Sequence, residues 1–318
     1  LLMRTLATNP AVRARMQGAE RVAPVHATGN YSYGARRMAG PGWILIGEAY
    51  TFVDPIFSSG VFLAMDSARA AATLVDAALR EIGEHPDPST WRIITSGSAH
   101  VVVGIDDRLC VRIAKNPAAK RSLARRTEVL SRLPEYSFAT PRPLSRVHGS
   151  RGHGAVALSW VHGEHRWGRV DTAELISLLE QLWATDTAPL EAYLDRPGQH
   201  WGGHRRRRIM LDDVVPRLLP RNRELARHAI RDLAELETVT PRLVHSDLMG
   251  QNMTWSGDAL AGVIDWDHAS LGDPAQDVAA LACSYGWPTL DGALPPEILH
   301  RARLHARIMP MQSVAYTL

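Results

Sequence analysis

The sequence predicts an α+β fold in which a small β-rich lobe precedes a larger helical lobe, with a small, incomplete α/β segment before both. Three observations support this prediction. Short apolar runs separated by turn residues fill residues 91–162, as in antiparallel strands. Leucines recur at helical spacing through much of 163–318. Residues 83–90 contain two prolines and a glycine, which indicates a linker after the first segment, 1–82.

Composition and charge exclude several classes of protein. The 318 residues are 45% hydrophobic and 22% charged, which is typical of folded chains and excludes overall disorder. With 36 basic and 33 acidic residues, the charge is too balanced for a dedicated nucleic-acid binder, so we expect no nucleic-acid partner. The four arginines at 205–208 are expected to form a solvated loop.

Two further observations concern the location of the protein. The sequence has no apolar run of the roughly 18 residues that a membrane span needs, so we expect no membrane association. Its two cysteines, Cys110 and Cys283, exclude a disulfide framework and fit a reducing compartment, which predicts a cytoplasmic protein. Because the chain begins with Leu1, we expect a fragment or a misjudged reading frame.

The elements of the first segment and of the β-rich lobe follow from apolar runs. Residues 42–47 predict a short buried strand, and the alanine-rich residues 61–80 predict a helix. Turn residues separate the runs 91–95, 101–105 and 109–113, which predicts three antiparallel strands. A helix is predicted over 122–133, and a further strand is predicted over 155–160.

The helical lobe contains two clear helical patterns. Asp171 with Glu174 is typical of a helix start, and the helix that follows would bury leucines 175, 178, 179 and 182. The second helix would bury Leu225, Ile230, Leu233 and Leu236 on one face. Short strands are predicted at 243–244, 253–255 and 263–264.

Two of these short strands deliver polar side chains into loops. The first leads into HSDLMGQN at 245–252, and the last ends at Asp265. Phosphoryl transfer from ATP needs a carboxylate beside the attacking hydroxyl and oxygen ligands for Mg²⁺. The spacing from His245 through Asp247 to Asn252 matches a kinase catalytic loop, and Asp265 supplies a second oxygen ligand.

Together with GDPAQD at 272–277, these motifs resemble the aminoglycoside phosphotransferase family over about 91–318. Family members usually have glycine where this chain has Ser246. The resemblance implies a bilobal protein-kinase-like fold, with a nucleotide-binding N-lobe at 91–162 and a catalytic, substrate-binding C-lobe at 163–318. It implies an enzyme that uses ATP and Mg²⁺ to phosphorylate a hydroxyl of a small molecule, with antibiotics as the first substrate class to test. The C-terminus looks short, and we expect part of the acceptor wall to be missing.

The resemblance also implies a role for individual residues. Asp247 would orient or deprotonate the substrate hydroxyl, and Asn252 and Asp265 would hold Mg²⁺. Asp277 would be a structural acid that bonds backbone amides, and His245 would brace the loop through a backbone bond. The remaining implied contacts are to the nucleotide: Ser96, Gly97 and Ser98 over the phosphates, and Trp160 and Val161 along the adenine.

The cation that contacts the phosphates has two candidates. Arg112 lies within a predicted strand, where kinase-like folds usually carry lysine and many members of this family carry arginine. Lys115 lies just beyond the strand and could reach the phosphates instead. The acid that partners the cation could be Glu128, although Arg126 stands nearer to the position expected for that acid.

Residues 1–82 resemble a different family. Residues 42–61 are similar to the later flavin-binding segment of flavin-dependent halogenases and monooxygenases, with Glu48 where that family has aspartate. The chain contains no Gly-x-Gly-x-x-Gly unit to bind a pyrophosphate, so we expect no stable FAD binding. Two alternatives to the kinase remain open: a flavin-dependent oxidoreductase or halogenase fragment, and a non-catalytic kinase-like binding module.

Overall fold

A computed structural model describes residues 59–95, 99–149, 153–196, 202–232 and 239–316, together with short stretches between residues 10 and 52. Contacts divide the chain into two units, Leu1–Ala68 and Arg69–Leu318. The linker predicted at 83–90 and the lobe boundaries stay predictions.

In the described part of the first unit, two pairs of two-residue antiparallel strands occur: β1 Tyr33–Gly34 with β4 Thr51–Phe52, and β2 Ala39–Gly40 with β3 Trp43–Ile44.

Helix α1, Ser59–Glu81, confirms the helix predicted over 61–80. In the second unit this helix buries Leu74, Val75, Ala78 and Leu79, which recur on one side at helical spacing. These residues pack against apolar side chains of the neighbouring sheet, among them Val103, Ile105, Val111 and Ile113. One face of the sheet is therefore covered by a helix that precedes it in the sequence.

The sheet has five antiparallel strands, which are β5 Arg92–Ile94, β6 His100–Ile105, β7 Leu109–Ala114, β8 His148–Gly149 and β9 Gly154–Ser159. Their order across the sheet is β5-β6-β7-β9-β8. The central strand β7 alternates between the two faces, so Val111 faces α1 while Cys110 joins the core on the other side. Arg112 lies between Val102 and Val156 in the register.

Helix α2, Pro117–Arg132, begins five residues earlier than predicted. Its start has two of the usual signals, because Asn116 Oδ1 accepts a hydrogen bond of 2.8 Å from the Ala119 amide and proline occupies the first helical position. The helix buries Leu123, Val129 and Leu130 in the core that includes Cys110.

The second lobe is mainly helical. Its long helices are α3 Thr172–Ala184, α4 Pro220–Asp232, α5 Ala275–Tyr285 and α6 Pro296–Tyr316. As predicted, Asp171 caps α3, and the four leucines of the pattern are buried. Glu174 does not close a capping box but accepts a hydrogen bond of 3.0 Å from the Leu260 amide. In the parts of the chain that are described, no helix combines the length and apolar character that crossing a membrane requires.

The pattern predicted for the second helix is partly wrong. Ile230 is buried in α4, but Leu225 is 71% exposed, because the buried face of this helix contains Ala226 and Ala229 instead. Leu233 and Leu236 lie outside the described residues.

Two antiparallel strand pairs interrupt the helices of this lobe. The strands are β10 Arg242–Val244, β11 Met253–Ser256, β12 Ala259–Val263 and β13 Ser270–Gly272. β10 pairs with β13, and β11 pairs with β12. The loop after β10 and the turn after β12 therefore start from fixed strands, and these two segments carry the polar residues singled out in the sequence.

Candidate active site

The loop that follows β10 is held by a buried acid from α5. The carboxylate of Asp277 accepts hydrogen bonds from the amides of His245 at 2.7 Å and Ser246 at 2.9 Å. Burial raises the pKa of Asp277 to about 7, and the two amide donors oppose that rise. The structural role predicted for Asp277 is confirmed.

Ser246 explains why glycine is usual at its position. Its φ of +68° lies in the left-handed region, which costs an L-residue roughly 1–2 kcal/mol. The serine makes a compensating contact, since its Oγ lies 2.9 Å from the buried Oγ of Ser270 on β13.

His245 braces the loop, as predicted. Its Nε2 lies 3.0 Å from the carbonyl oxygen of Ile264, and its Nδ1 accepts a hydrogen bond of 3.3 Å from the Asp247 amide. These partners require a proton on Nε2 and a lone pair on Nδ1. Burial lowers the pKa of His245 to about 4, so the ring is neutral near pH 7. The indole of Trp266 packs edge-on against this ring with 4.9 Å between centroids.

Asp247 and Asn252 are bonded to each other across the loop. Asn252 Nδ2 donates to the carbonyl oxygen of Asp247 at 2.8 Å and to Asp247 Oδ2 at 2.9 Å. The main-chain oxygen of Asn252 accepts from the Ile264 amide at 2.8 Å. The loop is thereby tied to the residue immediately before Asp265.

Asp265 completes the group of polar side chains brought together here. It has φ +61° and a side chain that is 46% exposed. Burial raises the pKa of Asp247 above its ordinary value, and the negative charge of Asp265 adds to the rise. Asp247 and Asn252 are thus in contact, and Asp265 lies near enough for its charge to act on Asp247. The roles predicted for the three residues stay predictions.

Arg112 reaches this group from the sheet. Its Nη1 and Nη2 donate to the two carboxylate oxygens of Asp267, each at 2.7 Å, and Nη2 also donates to Asp265 Oδ1 at 3.0 Å. Arg126 Nη1 donates to Asp267 Oδ2 at 2.8 Å. The two arginines lower the pKa of the buried Asp267 to about 2, against the opposing effect of burial.

Asp267 was not among the predicted site residues, and Arg112 has a partner other than the one expected. Glu128 bonds Arg132, one turn further along α2, and the described carboxylate contacts of Arg112 go to Asp265 and Asp267 instead. The expected pairing of Glu128 with Arg112 is therefore wrong. Two signals could have found Asp267: a second acid two residues after Asp265, and a helix with arginine where an acid was expected.

The other nucleotide-binding candidates lie in the N-lobe. Lys115 Nζ donates to the carbonyl oxygen of Thr95 at 2.7 Å, on the main chain just before residues 96–98. Ser96, Gly97 and Ser98 lie outside the described residues. Trp160 follows β9, and its amide donates to the carbonyl oxygen of Arg108 at 3.0 Å. The Arg92 guanidinium lies 4.8 Å from the centroid of the Trp160 ring. Val161 is buried.

Comparison with curated proteins finds matches to flavin-dependent halogenases over short lengths. A flavin-dependent halogenase from Penicillium aethiopicum is 39% identical over 82 residues, which are 26% of this chain and 15% of that enzyme. A tryptophan 2-halogenase from Chondromyces crocatus is 45% identical over 60 residues, which are 19% of this chain and 12% of that enzyme. The chain spans less than a fifth of these halogenases.

Solved structures of phosphotransferases share the fold. The streptomycin–ATP ternary complex of APH(2")-IIa superposes with a TM-score of 0.59 at 18% identity, covering 77% of this chain and 93% of that chain. The GDP complex of aminoglycoside 2'-phosphotransferase-IIIa gives a TM-score of 0.64 at 16% identity, covering 77% of this chain and 89% of that chain. The predicted α+β, protein-kinase-like fold is confirmed.

The family follows from the sequence matches. Viomycin phosphotransferase from Streptomyces vinaceus is 30% identical over 206 residues, which are 59% of this chain and 70% of that protein. Residues 79–310 match the profile of the phosphotransferase enzyme family, APH. Because this match covers well over half of the chain, the protein belongs to the phosphotransferase enzyme family.

Proposed function

We propose that the protein is an ATP- and Mg²⁺-dependent phosphotransferase that moves the γ-phosphate of ATP to a hydroxyl group of a small molecule. One observation carries the proposal: the carboxylate of Asp247 is bonded to Asn252, and Asn252 is bonded to the strand end that delivers Asp265. Such a group of one base and two oxygen ligands is what phosphoryl transfer needs. Membership in the family supports the reaction class.

Asn252 and Asp265 fit the requirements of a magnesium ion. Asn252 uses Nδ2 on Asp247, which leaves the amide oxygen as the atom that can face a metal. Asp265 gives one oxygen to Arg112 and has a second, on a side chain that is half exposed. Hard oxygen ligands with room for several waters suit Mg²⁺. When bound, the ion would neutralise negative charge on the phosphates.

Asp247 is the group that acts on the acceptor. Its carboxylate would accept the hydrogen bond of the attacking hydroxyl and then its proton, as the new O–P bond forms and the bond from the γ-phosphorus to the bridging oxygen of ADP breaks. A raised pKa makes this carboxylate a better proton acceptor than an ordinary aspartate. Its bond to Asn252 fixes the direction in which the carboxylate points.

The nucleotide would bind between the two lobes of this second unit. Arg112 is the cation that we assign to the phosphates, because its Nη2 already lies 3.0 Å from Asp265. Ser96, Gly97 and Ser98 are proposed to cover the phosphates, and Trp160 and Val161 to line the adenine through backbone groups. We place the reaction in the cytoplasm, where ATP is present and the free thiols of Cys110 and Cys283 stay reduced.

We propose an antibiotic as the acceptor class. The relatives and structural neighbours described above include viomycin and aminoglycoside phosphotransferases. Their names do not agree on one antibiotic, so the acceptor is best sought in a mixed panel.

The test is mass spectrometry of an antibiotic and metabolite panel incubated with Mg-ATP and the purified chain. We expect phosphate addition to at least one hydroxyl compound, and its loss with Asp247→Asn or with a chelator. Nucleotide binding without any product would favour the non-catalytic binding module. A flavin absorption band in the purified protein would favour the halogenase-fragment alternative, whereas we expect the purified protein to be colourless.

A further inference from the structure

The strand cation Arg112 is held by an acid from the other lobe. Both terminal nitrogens of Arg112 donate to Asp267, at 2.7 Å each, in a two-point contact that fixes the plane of the guanidinium group. Asp267 is 6% exposed and the Arg112 side chain is 13% exposed, so water screens this pair weakly. Asp267 lies in the helical turn Trp266–His268, immediately after Asp265 and Trp266.

This arrangement differs from the usual one in kinase-like folds, where the strand cation pairs with a glutamate on the following helix. Here helix α2 contributes Arg126, which donates to Asp267 at 2.8 Å and so binds the same carboxylate as Arg112. Glu128 of that helix bonds Arg132. The acid that pairs with the strand cation therefore lies in the turn that follows β12 and not on the helix. The helix contributes a second arginine, Arg126, to the same carboxylate.

We propose that Asp267 is a positioning residue that holds Arg112 at the nucleotide phosphates, in place of a helix acid. This inference rests on the function proposed above. Because Asp267 and Asp265 share one turn, and Arg112 Nη2 contacts both, Asp267 sets the separation between the phosphate-binding cation and the carboxylate assigned to the metal. Through Arg126 it also fixes α2 against the same turn.

The test measures the dissociation constant of ADP by calorimetry and the KM for ATP with an acceptor from the panel. Asp267→Asn is expected to raise both by about ten-fold or more, because the charged two-point contact is lost, while the KM for the acceptor stays unchanged. If Asp267 acts through Arg112, it has no cation to position once Arg112 is replaced. In the Arg112→Gln background, Asp267→Asn should therefore raise the dissociation constant of ADP by a further two-fold or less, about the limit of additivity.

The matched control is Asp195→Asn. Asp195 is also 6% exposed, and it pairs at 2.6 Å with Arg125, the residue beside Arg126 on α2. Loss of this pair should lower the melting temperature without changing the affinity for ADP. A double variant serves if Asp267→Asn cannot be isolated folded. Arg126→Gln/Asp267→Asn removes a positive charge together with the buried negative charge. Its affinity for ADP is compared with that of Arg126→Gln alone.

The assignment of Asp267 would be overturned if Asp267→Asn bound ADP as tightly as the wild type. It would also be overturned if Asp267→Asn weakened ADP binding by the same factor in the Arg112→Gln background as in the wild type. Either result would leave the proposed function standing. A wild-type protein that neither binds ADP nor phosphorylates any acceptor would overturn both.

Discussion

Asn252 gives both donated hydrogen bonds of its side-chain amide to Asp247, at 2.8 Å to the main-chain oxygen and 2.9 Å to Oδ2. Both partners are acceptors, so the NH₂ group faces them and the amide oxygen faces the other way. One side chain therefore orients the proposed base and presents the proposed metal ligand.

Replacing Asn252 by aspartate tests this double use. Asn252→Asp removes both donors and sets a second negative charge against Asp247, so we expect turnover to fall by about 100-fold. The added charge should also raise the pKa of Asp247 further, which moves the acidic limit of activity to higher pH. Turnover is measured against pH with Mg-ATP. Asn222→Asp on the exposed face of α4 is the control, and equal turnover in the two variants would contradict the account.

Ser246 combines a strained backbone with a compensating hydroxyl contact. Ser270→Ala removes that contact and leaves the strain at φ +68°. In this background Ser246→Gly should raise the free energy of unfolding by about 1–2 kcal/mol, because glycine adopts the left-handed region freely. Urea denaturation of the single and double variants checks the value. A double variant that is less stable than Ser270→Ala would show that the serine backbone is unstrained.

The packing of α1 on the sheet makes residues outside the family match necessary for stability. The match begins at residue 79, yet Leu74, Val75 and Ala78 are buried against the sheet. Leu74→Ala should lower the free energy of unfolding by about 2–5 kcal/mol, since Leu74 lies outside the match and is 4% exposed. Leu225→Ala, at a leucine that is 71% exposed, should change it by about 0.5 kcal/mol or less. Equal effects in denaturant titrations would argue against this packing.

Buried histidine makes the fold sensitive to acid. Burial lowers the pKa of His100 to about 4, with help from the positive charge of Arg112. An unfolded histidine titrates near 6.5, so between about pH 4 and 6.5 the unfolded chain binds more protons and stability falls as pH falls.

His100→Asn should remove up to about 1.4 kcal/mol per pH unit of this dependence. The measurement is urea denaturation of the wild type and the variant from pH 4.5 to 7.5. Taking the difference between the two proteins cancels the contribution of titrating groups that do not contact His100. Parallel curves would show that His100 is not kept neutral by the fold.

Much of the fold and the centre of the site could be predicted because their signals are local in sequence. Strand runs, the Asp171 cap and the spacing from His245 to Asn252 need no knowledge of distant residues. Asp265 could be assigned because it ends a strand just after that loop. The family resemblance then supplied roles that spacing alone does not.

What was missed depends on contacts between distant segments. Asp267 and Arg112 are 155 residues apart, and only the folded chain shows that they bond. Leu225 fits a helical repeat but faces outward, because small alanines form the buried face of α4. Glu174 has the spacing of a capping box but bonds Leu260, since β12 lies beside the start of α3.

The central claim is that the carboxylate of Asp247 receives the proton of the acceptor hydroxyl. The most direct measurement is the turnover of Asp247→Asn with Mg-ATP and an acceptor from the panel, with the affinity for ADP measured on the same preparation. The account predicts that turnover falls by about 10²–10⁴-fold, while the affinity for ADP changes by about two-fold or less. Turnover close to that of the wild type, with unchanged affinity for ADP, would contradict it.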